Sequence, residues 1–270
     1  MKRVRMIALL WVAVLVSAGF AGTLTREIHK TAGFKEGGLI RLKNVNGGIK
    51  TFGWEKDSVS VLAVIKVKAG DRKDAEEFMD RVTIDVRELG DVLSIEFDYP
   101  RNEESNDFFG WLFGRRITVS IDFEIHVPLK SDLELRDTNG GISVEEVEGK
   151  IYLGTTNGGI NGTALKGSIE ARSTNGGITI EMSTLDPESN NEIRTTNGGI
   201  KLTLPGDVQA DLSASVVNGG IHTDFPVEVR GKLNNKSVDG RINGGGCQID
   251  MHTVNGSISI YGASHEEKEW

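Results

Sequence analysis

Thr138-Asn139-Gly140-Gly141-Ile142 recurs eighteen residues later as Thr156-Asn157-Gly158-Gly159-Ile160, and again as Thr174-Asn175-Gly176-Gly177-Ile178. The core tetrapeptide Asn-Gly-Gly-Ile also stands at Asn46–Ile49, Asn197–Ile200 and Asn218–Ile221. Two degenerate copies follow, Asp239-Gly240-Arg241-Ile242 and Asn255-Gly256-Ser257-Ile258. From Asn139 the steps are 18, 18, 22, 21, 21 and 16 residues. A unit repeated at a period near twenty marks a repeat architecture. Turns are therefore expected at Asn46, Asn139, Asn157, Asn175, Asn197, Asn218, Asp239 and Asn255. Asn-Gly accepts positive φ at low cost, which suits a chain reversal.

Apolar residues alternate on both sides of the turn. Ile151, Leu153 and Thr155 precede Asn157, and Ile169, Ala171 and Ser173 precede Asn175. Ile142 and Val144, Ile178 and Ile180, and Ile200 and Leu202 follow their turns at the same offsets. Period two means strand, turn, strand with one buried face. Two architectures fit. Asn-Gly between alternating strands is the strongest short hairpin signal. Against a meander, Gly149 and Gly167 sit halfway through their units, so corners recur at about nine residues. The inward offsets also repeat from unit to unit, as stacked rungs require. The expected fold is all-β: a single β-solenoid, β-helix-like, with parallel stacked rungs and right-handed winding favoured. The asparagines would then form a hydrogen-bonded ladder.

The 34 glycines among 270 residues concentrate at these corners. Residues 1–21 read as a signal peptide: basic Lys2, Arg3 and Arg5, an apolar run Met6–Val16, and small residues ending at Ala21. That run is short for a membrane span. Removing the three basic residues takes the formal charge from −8 to −11. So acidic a chain is a poor partner for nucleic acid, whose phosphates need Lys and Arg. Cys247 is the only cysteine and has no partner for an internal disulfide. Secretion across the inner membrane is the expected localisation: periplasm, cell surface or medium.

Ile40, Leu42 and Asn46 start a first rung within a domain spanning 22–262, and a long interruption follows. Val59–Val67 reads as a strand, and Arg72–Val82 as a short helix on the spacing of Ala75, Phe78, Met79 and Val82. Thr83–Glu88 and Val92–Tyr99 flank Leu89-Gly90-Asp91 as strand, turn, strand. Alternating Ile117–Val127 is a long strand that stops at Pro128. Residues 53–130 thus form a β-rich elaboration with one short helix, covering one end of the coil. Residues 263–270 are a polar tail.

The order of these parts carries a resemblance. A signal peptide leads to one Asn-Gly-Gly-Ile rung, then a β-rich segment ending in Val127-Pro128, then repeated Thr-Asn-Gly-Gly-Ile units. Over residues 38–262 the chain resembles the bacterial "putative adhesin" β-solenoid family, a domain of unknown function. The resemblance implies an extracytoplasmic, non-catalytic solenoid, and it supplies no catalytic residue.

Two constellations stand out. Outward residues before the turns include Glu134 and Arg136, Glu170 and Arg172, and Glu192 and Arg194. Stacking would turn these into adjacent acidic and basic columns. With Lys43, Lys236, His252 and Asp250 also assigned to them, the columns serve solubility and register, or contact a glycan or polyanion. The second constellation is Phe108, Phe109, Trp111, Leu112 and Phe113, followed by Arg115-Arg116. It either plugs the solenoid's end or contacts an envelope protein or membrane surface. His29, His126, His222, His252 and His265 show no metal-ligand spacing, and phosphate-binding, dinucleotide and nucleophile-elbow motifs are absent. No catalytic residue, metal or cofactor is expected. The function expected is a secreted, non-catalytic envelope binding or scaffold protein, adhesin-like. The alternatives are a polysaccharide-acting enzyme on a β-helix scaffold and an envelope-stress sensor. The Glu/Arg columns recur on every rung, whereas a catalytic site breaks repeat symmetry at one place.

Overall fold

Strand follows strand with one short helix in the computed structural model, which describes residues 17–18, 22–98, 117–229 and 235–263. Most of the expected signal peptide, the whole Phe108–Phe113 cluster and the tail from residue 264 lie outside the described residues.

Each rung contributes a strand before its turn and a strand after it. Before the turns run β3 (Leu39–Lys43), β9 (Asp132–Asp137), β11 (Glu148–Asn157), the second half of β12 (Ile160–Asn175), β14 (Asn190–Asn197), β16 (Ala210–Asn218) and β20 (Cys247–Asn255). After them run β4 (Ile49–Trp54), β10 (Ile142–Glu145), the first half of β12, β13 (Ile178–Leu185), β15 (Ile200–Leu204), β17 (Ile221–Thr223) and β21 (Ile258–Gly262). Within each set the neighbours are parallel and in register. Ile151 pairs with Leu133 and Ile169, and Ile178 with Ile160 and Ile200. The result is two parallel ladders facing across one apolar core. Strand alternation fills it with Leu133, Leu135, Ile151, Leu153, Ile169 and Ile193 from one side. Ile49, Ile142, Ile160, Ile178, Ile180 and Leu202 enter from the other. Each such side chain contributes roughly 1.5–3 kcal/mol by leaving water.

The turns stack directly over one another. Each asparagine donates from Nδ2 to the Oδ1 of its neighbour: Asn139 to Asn46, Asn157 to Asn139, Asn175 to Asn157 and Asn197 to Asn175, at 2.8–2.9 Å. A second ladder lies just inside it. Thr155, Ser173 and Thr195 donate their hydroxyls to the carbonyls of Gly140, Gly158 and Gly176, at 2.9–3.0 Å. These inner hydroxyls satisfy turn carbonyls that close stacking removes from water.

Close stacking, rather than positive φ, explains the first glycine of the turns at Asn139, Asn157, Asn175 and Asn197, whereas Gly47 combines a close contact with φ 113°. A Cβ at Gly158 would sit 2.0 Å from the Gly140 carbonyl oxygen, and one at Gly176 would sit 1.9 Å from that of Gly158. Neither residue has positive φ. The second glycine has ordinary room: a Cβ at Gly177 would lie 3.5 Å from the Gly199 oxygen. Accordingly Asn255-Gly256-Ser257-Ile258 keeps the first glycine and replaces the second. At the opposite corner, Glu146 (φ 56°) and Ala164 (φ 53°) take left-handed backbone just ahead of Gly149 and Gly167. β12 runs through its corner without interruption, shifting register near Leu165.

The stacking order departs from the chain order at the C-terminal end. Asn255 donates to Asn197 at 2.7 Å, and Asn218 donates to Asn255 at 2.9 Å. The last rung in sequence, β20–β21, therefore lies between β14–β15 and β16–β17. The turn expected at Asp239 is a correction. Asp239-Gly240-Arg241-Ile242 lies inside β19 (Ser237–Ile242), antiparallel to β16, with β18 (Val227–Val229) beyond it. Gly240 serves a close backbone approach, because a Cβ there would meet Glu228 O at 2.6 Å. Lys236 consequently falls outside the basic column; its Nζ donates to Val217 O at 2.9 Å.

The other end is finished by antiparallel strands. β5 (Ser58–Lys68) pairs with β8 (Thr118–Pro128), which in turn lies parallel to β4. β6 (Thr83–Leu89) pairs with β7 (Val92–Asp98), which lies parallel to β3, and Gly90 turns between them at φ 66°. Helix α1 (Arg72–Met79) starts at Asp71, whose carboxylate accepts from Asp74 N, and it buries Ala75, Phe78 and Met79. β2 (Thr23–Gly33) pairs along its whole length with β5 and receives the short β1 (Ser17–Ala18) on its other side. Its polar composition hides its strand periodicity from sequence.

Candidate ligand-binding face

The outward residues of the pre-turn ladder form two columns running across the rungs. In register order, one contains Arg41, Glu134, Tyr152, Glu170, Glu192 and Asp250. The other contains Lys43, Arg136, Gly154, Arg172, Arg194 and His252. The Glu/Arg residues singled out from sequence therefore share one face. Arg172 bridges Glu170 at 3.0 Å and Glu192 at 2.9 Å, and Arg194 holds Glu192 at 2.7 Å. Arg136 holds Glu134 at 3.1 Å, and Arg41 holds it at 2.6 Å. Burial alone would raise the Glu134 carboxyl, but hydrogen bonds from Arg41 and Arg136 prevail and hold it below its ordinary value. These half-exposed pairs set register more than stability, since each contributes about 0–1 kcal/mol.

The pattern breaks at β11. Tyr152 stands where its neighbours carry glutamate, and Gly154 stands where they carry arginine. The Arg136 guanidinium lies over the Tyr152 ring, 4.2 Å from its centroid. The ring edge leans over Gly154, where a Cβ would sit 3.3 Å from the phenol. Two grooves flank the ring. One, of about 450 Å³, is lined by Asp132, Glu134, Lys150, Tyr152, Glu170 and Asn190, among others. The other, of about 490 Å³, is lined by Lys43, Arg136 and Arg172 with the hydroxyl residues Thr138, Thr156 and Thr174. Gly154 opens the second groove by withholding a side chain from the basic column. Together they make a surface of hydrogen-bond donors and acceptors around an aromatic ring. Sequence reasoning followed the repeated Glu/Arg pattern and passed over Tyr152, Gly154 and Arg41. The signal was present as a rung that departs from the template between two rungs that keep it.

Other chemistry-bearing groups lie apart. Phe52 stacks on His126 of β8 at 5.3 Å between centroids, Trp54 lies tilted against it at 5.2 Å, and Lys56 Nζ sits 4.5 Å over Trp54. Ser215 Oγ lies 2.9 Å from His252 Nδ1. Cys247 is buried, with Sγ 3.5 Å from Gln209 O, and burial pushes its thiol above the usual range. Among the described residues no cluster of three His, Cys, Asp or Glu side chains could hold a metal ion, and no helix is long and apolar enough to cross a membrane.

No curated protein matches the chain. Among solved structures, a "putative cell adhesion protein" of Clostridium sporogenes is similar at 13% identity and TM-score 0.42, covering 88% of this chain and 100% of that one. A "putative adhesin" of Bacteroides fragilis is similar at 10% identity and TM-score 0.42, covering 87% and 97%. A "putative lipid binding protein" of Parabacteroides distasonis gives 13% identity and TM-score 0.33, covering 91% and 98%. The Toastrack DUF4097 family matches residues 102–261, more than half of the 270, so the chain belongs to that family.

Proposed function

We propose that this protein is a non-catalytic, adhesin-like binding module of the bacterial cell envelope, and that it recognises glycans with the pre-turn face centred on Tyr152. The observation that carries the reading is the Tyr152/Gly154 rung, which stands between rungs that keep the pairs Glu134/Arg136 and Glu170/Arg172. Two grooves lie there, bordered by an aromatic ring, four basic residues, four carboxylates and a row of threonines. Sugars suit such a surface: hydroxyls pair with Thr and Arg, and CH faces lie against aromatic rings. The signal peptide expected over residues 1–21 agrees with that compartment. The rival reading, a polysaccharide-acting enzyme, would need an acid and a nucleophile converging on one bond. Here Glu134 and Glu170, the register partners of Tyr152, are each held by arginine, and Asp132 accepts from the Lys150 amide.

The test is retention of the mature protein on immobilised envelope polysaccharide. Tyr152→Ala and the double reversal Arg172→Glu/Arg194→Glu should each reduce retention at least tenfold while the protein stays folded. Unchanged retention in both would remove the proposal. Release of reducing ends from the same polysaccharide would instead support the enzyme.

A further inference from the structure

The inverted order of the last two rungs points to an exchangeable element. β20–β21 occupies an internal slot. On one side Asn191–Asn197 pairs with Ile249–Asn255; on the other Ala210–Asn218 pairs with Cys247–Asn255. β21 is held in the same way between β15 and β17. The segment that lines the far side of this slot, β16–β17, comes earlier in the chain. The final rung therefore enters between two rungs that precede it.

Its connection is a glycine-rich crossing, pinned by Asn243 Nδ2 donating to Val208 O at 2.9 Å. β19 and β20 flank β16 on opposite edges, so residues 243–246 cross over the start of that strand. The crossing is Asn243-Gly244-Gly245-Gly246, with φ values of 50°, 88° and 89° at the first three. Three consecutive glycines can reach many other conformations at little cost. The slot is specific for this segment. Thr253 supplies the hydroxyl that the Gly198 carbonyl accepts at 2.8 Å, a bond that Val216 of the competing rung cannot make. Asn255 likewise completes the ladder between Asn197 and Asn218.

We infer that the protein self-associates by exchanging β20–β21 between two copies, each filling the other's slot. Every ladder hydrogen bond and every buried contact of Ile249, Met251, Ile258 and Ile260 would be remade in the exchanged dimer. Only the glycine crossing and the hydrogen bonds of Asn243, Gly245 and Gly246 change, so exchange of an identical element is a low-cost route to dimers. The occupant is a second copy of this chain, because its own segment already carries the matching register, hydroxyl and asparagine.

Two measurements on the full mature chain test this, in a Cys247→Ser background. Ser213 and Asp250 are register partners on β16 and β20, both exposed, at a separation of about 4.8 Å expected for neighbouring strands and compatible with a disulfide. Single variants Ser213→Cys and Asp250→Cys are unfolded, mixed, refolded together at high concentration and oxidised. Exchange predicts a covalent heterodimer at least tenfold above the homodimers that either variant forms alone; equal yields would overturn the inference. Independently, deleting Gly244 and Gly245 leaves three Cα steps, about 10 Å at full extension, to span two strand spacings of about 4.8 Å around the end of β16. The closed form is then strained, and the mass by light scattering should double. A folded monomer with intact cooperative unfolding would also overturn it.

Discussion

Gly176→Ala and Gly177→Ala differ by one residue in sequence and should differ sharply in outcome. At Gly176 the new Cβ would lie 1.9 Å from Gly158 O and 2.4 Å from Gly158 C, where real contacts stay beyond 3.0 Å. Both atoms belong to backbone, so no side chain can turn away, and the rungs must part by about an ångström. Parting weakens three hydrogen bonds at that corner: Gly158 N to Asn175 O (3.0 Å), Asn175 Nδ2 to Asn157 Oδ1 (2.9 Å) and Ser173 Oγ to Gly158 O (3.0 Å). At about 1 kcal/mol net each, the loss is about 3 kcal/mol. Restriction of the unfolded chain by alanine returns about 0.4–1 kcal/mol, leaving a net loss of roughly 2–3 kcal/mol. At Gly177 the Cβ has 3.5 Å to the nearest atom and φ is not left-handed, so only the small favourable effect remains. Urea unfolding measures both, with an unchanged slope confirming that only stability has moved. Equal losses, or a native-like Gly176→Ala, would refute the claim that stacking distance selects the first glycine.

Facing gives a second test. Ile178→Asp buries an unpaired carboxylate in the core and should unfold its neighbouring rungs, whereas Thr179→Asp on the exposed face should change stability by less than about 0.5 kcal/mol; thermal melts distinguish them. A third concerns pH. Asp137 occupies the inner column that holds Thr155, Ser173 and Thr195 in the next three rungs, and it is only 5% exposed. Burial raises its carboxyl to about 6, against hydrogen bonds from Asn44 and the Thr138 and Asn139 amides and with the repulsion of Asp122 adding to the rise. A folded value above the unfolded 3.8 means that the folded state holds the proton more tightly. Its stabilising contribution is therefore complete below about pH 4 and lost as pH rises through about 6, a change of roughly 3 kcal/mol. Asp137→Asn should flatten the wild-type decline in melting temperature between pH 4.5 and 7; an unaltered slope would exclude Asp137 as its origin.

The repeated Asn-Gly-Gly-Ile units and their flanking alternation determined an all-β rack of parallel rungs. Each residue type there answers to a local demand: period two for burial, glycine for close approach, asparagine for the ladder. The caps were legible where apolar alternation was strong, as in β5 and β8, and illegible in β2, whose residues are mostly polar and whose strand state depends on β5. The Glu/Arg columns were legible as offsets, but the grooves beside Tyr152 needed the neighbouring rungs to be laid on either side of it. Asp239-Gly240-Arg241-Ile242 matched the turn in letters while lying in a strand, because Gly240 answers to Glu228 rather than to a stacked turn. Sequence order also could not decide which rung stacks on which. Parallel pairing in a common register suits several neighbours almost equally, so small three-dimensional terms choose among them. Here the choice falls to the Thr253 hydroxyl on Gly198, the reach of a triglycine crossing and the antiparallel cover of β16 by β19.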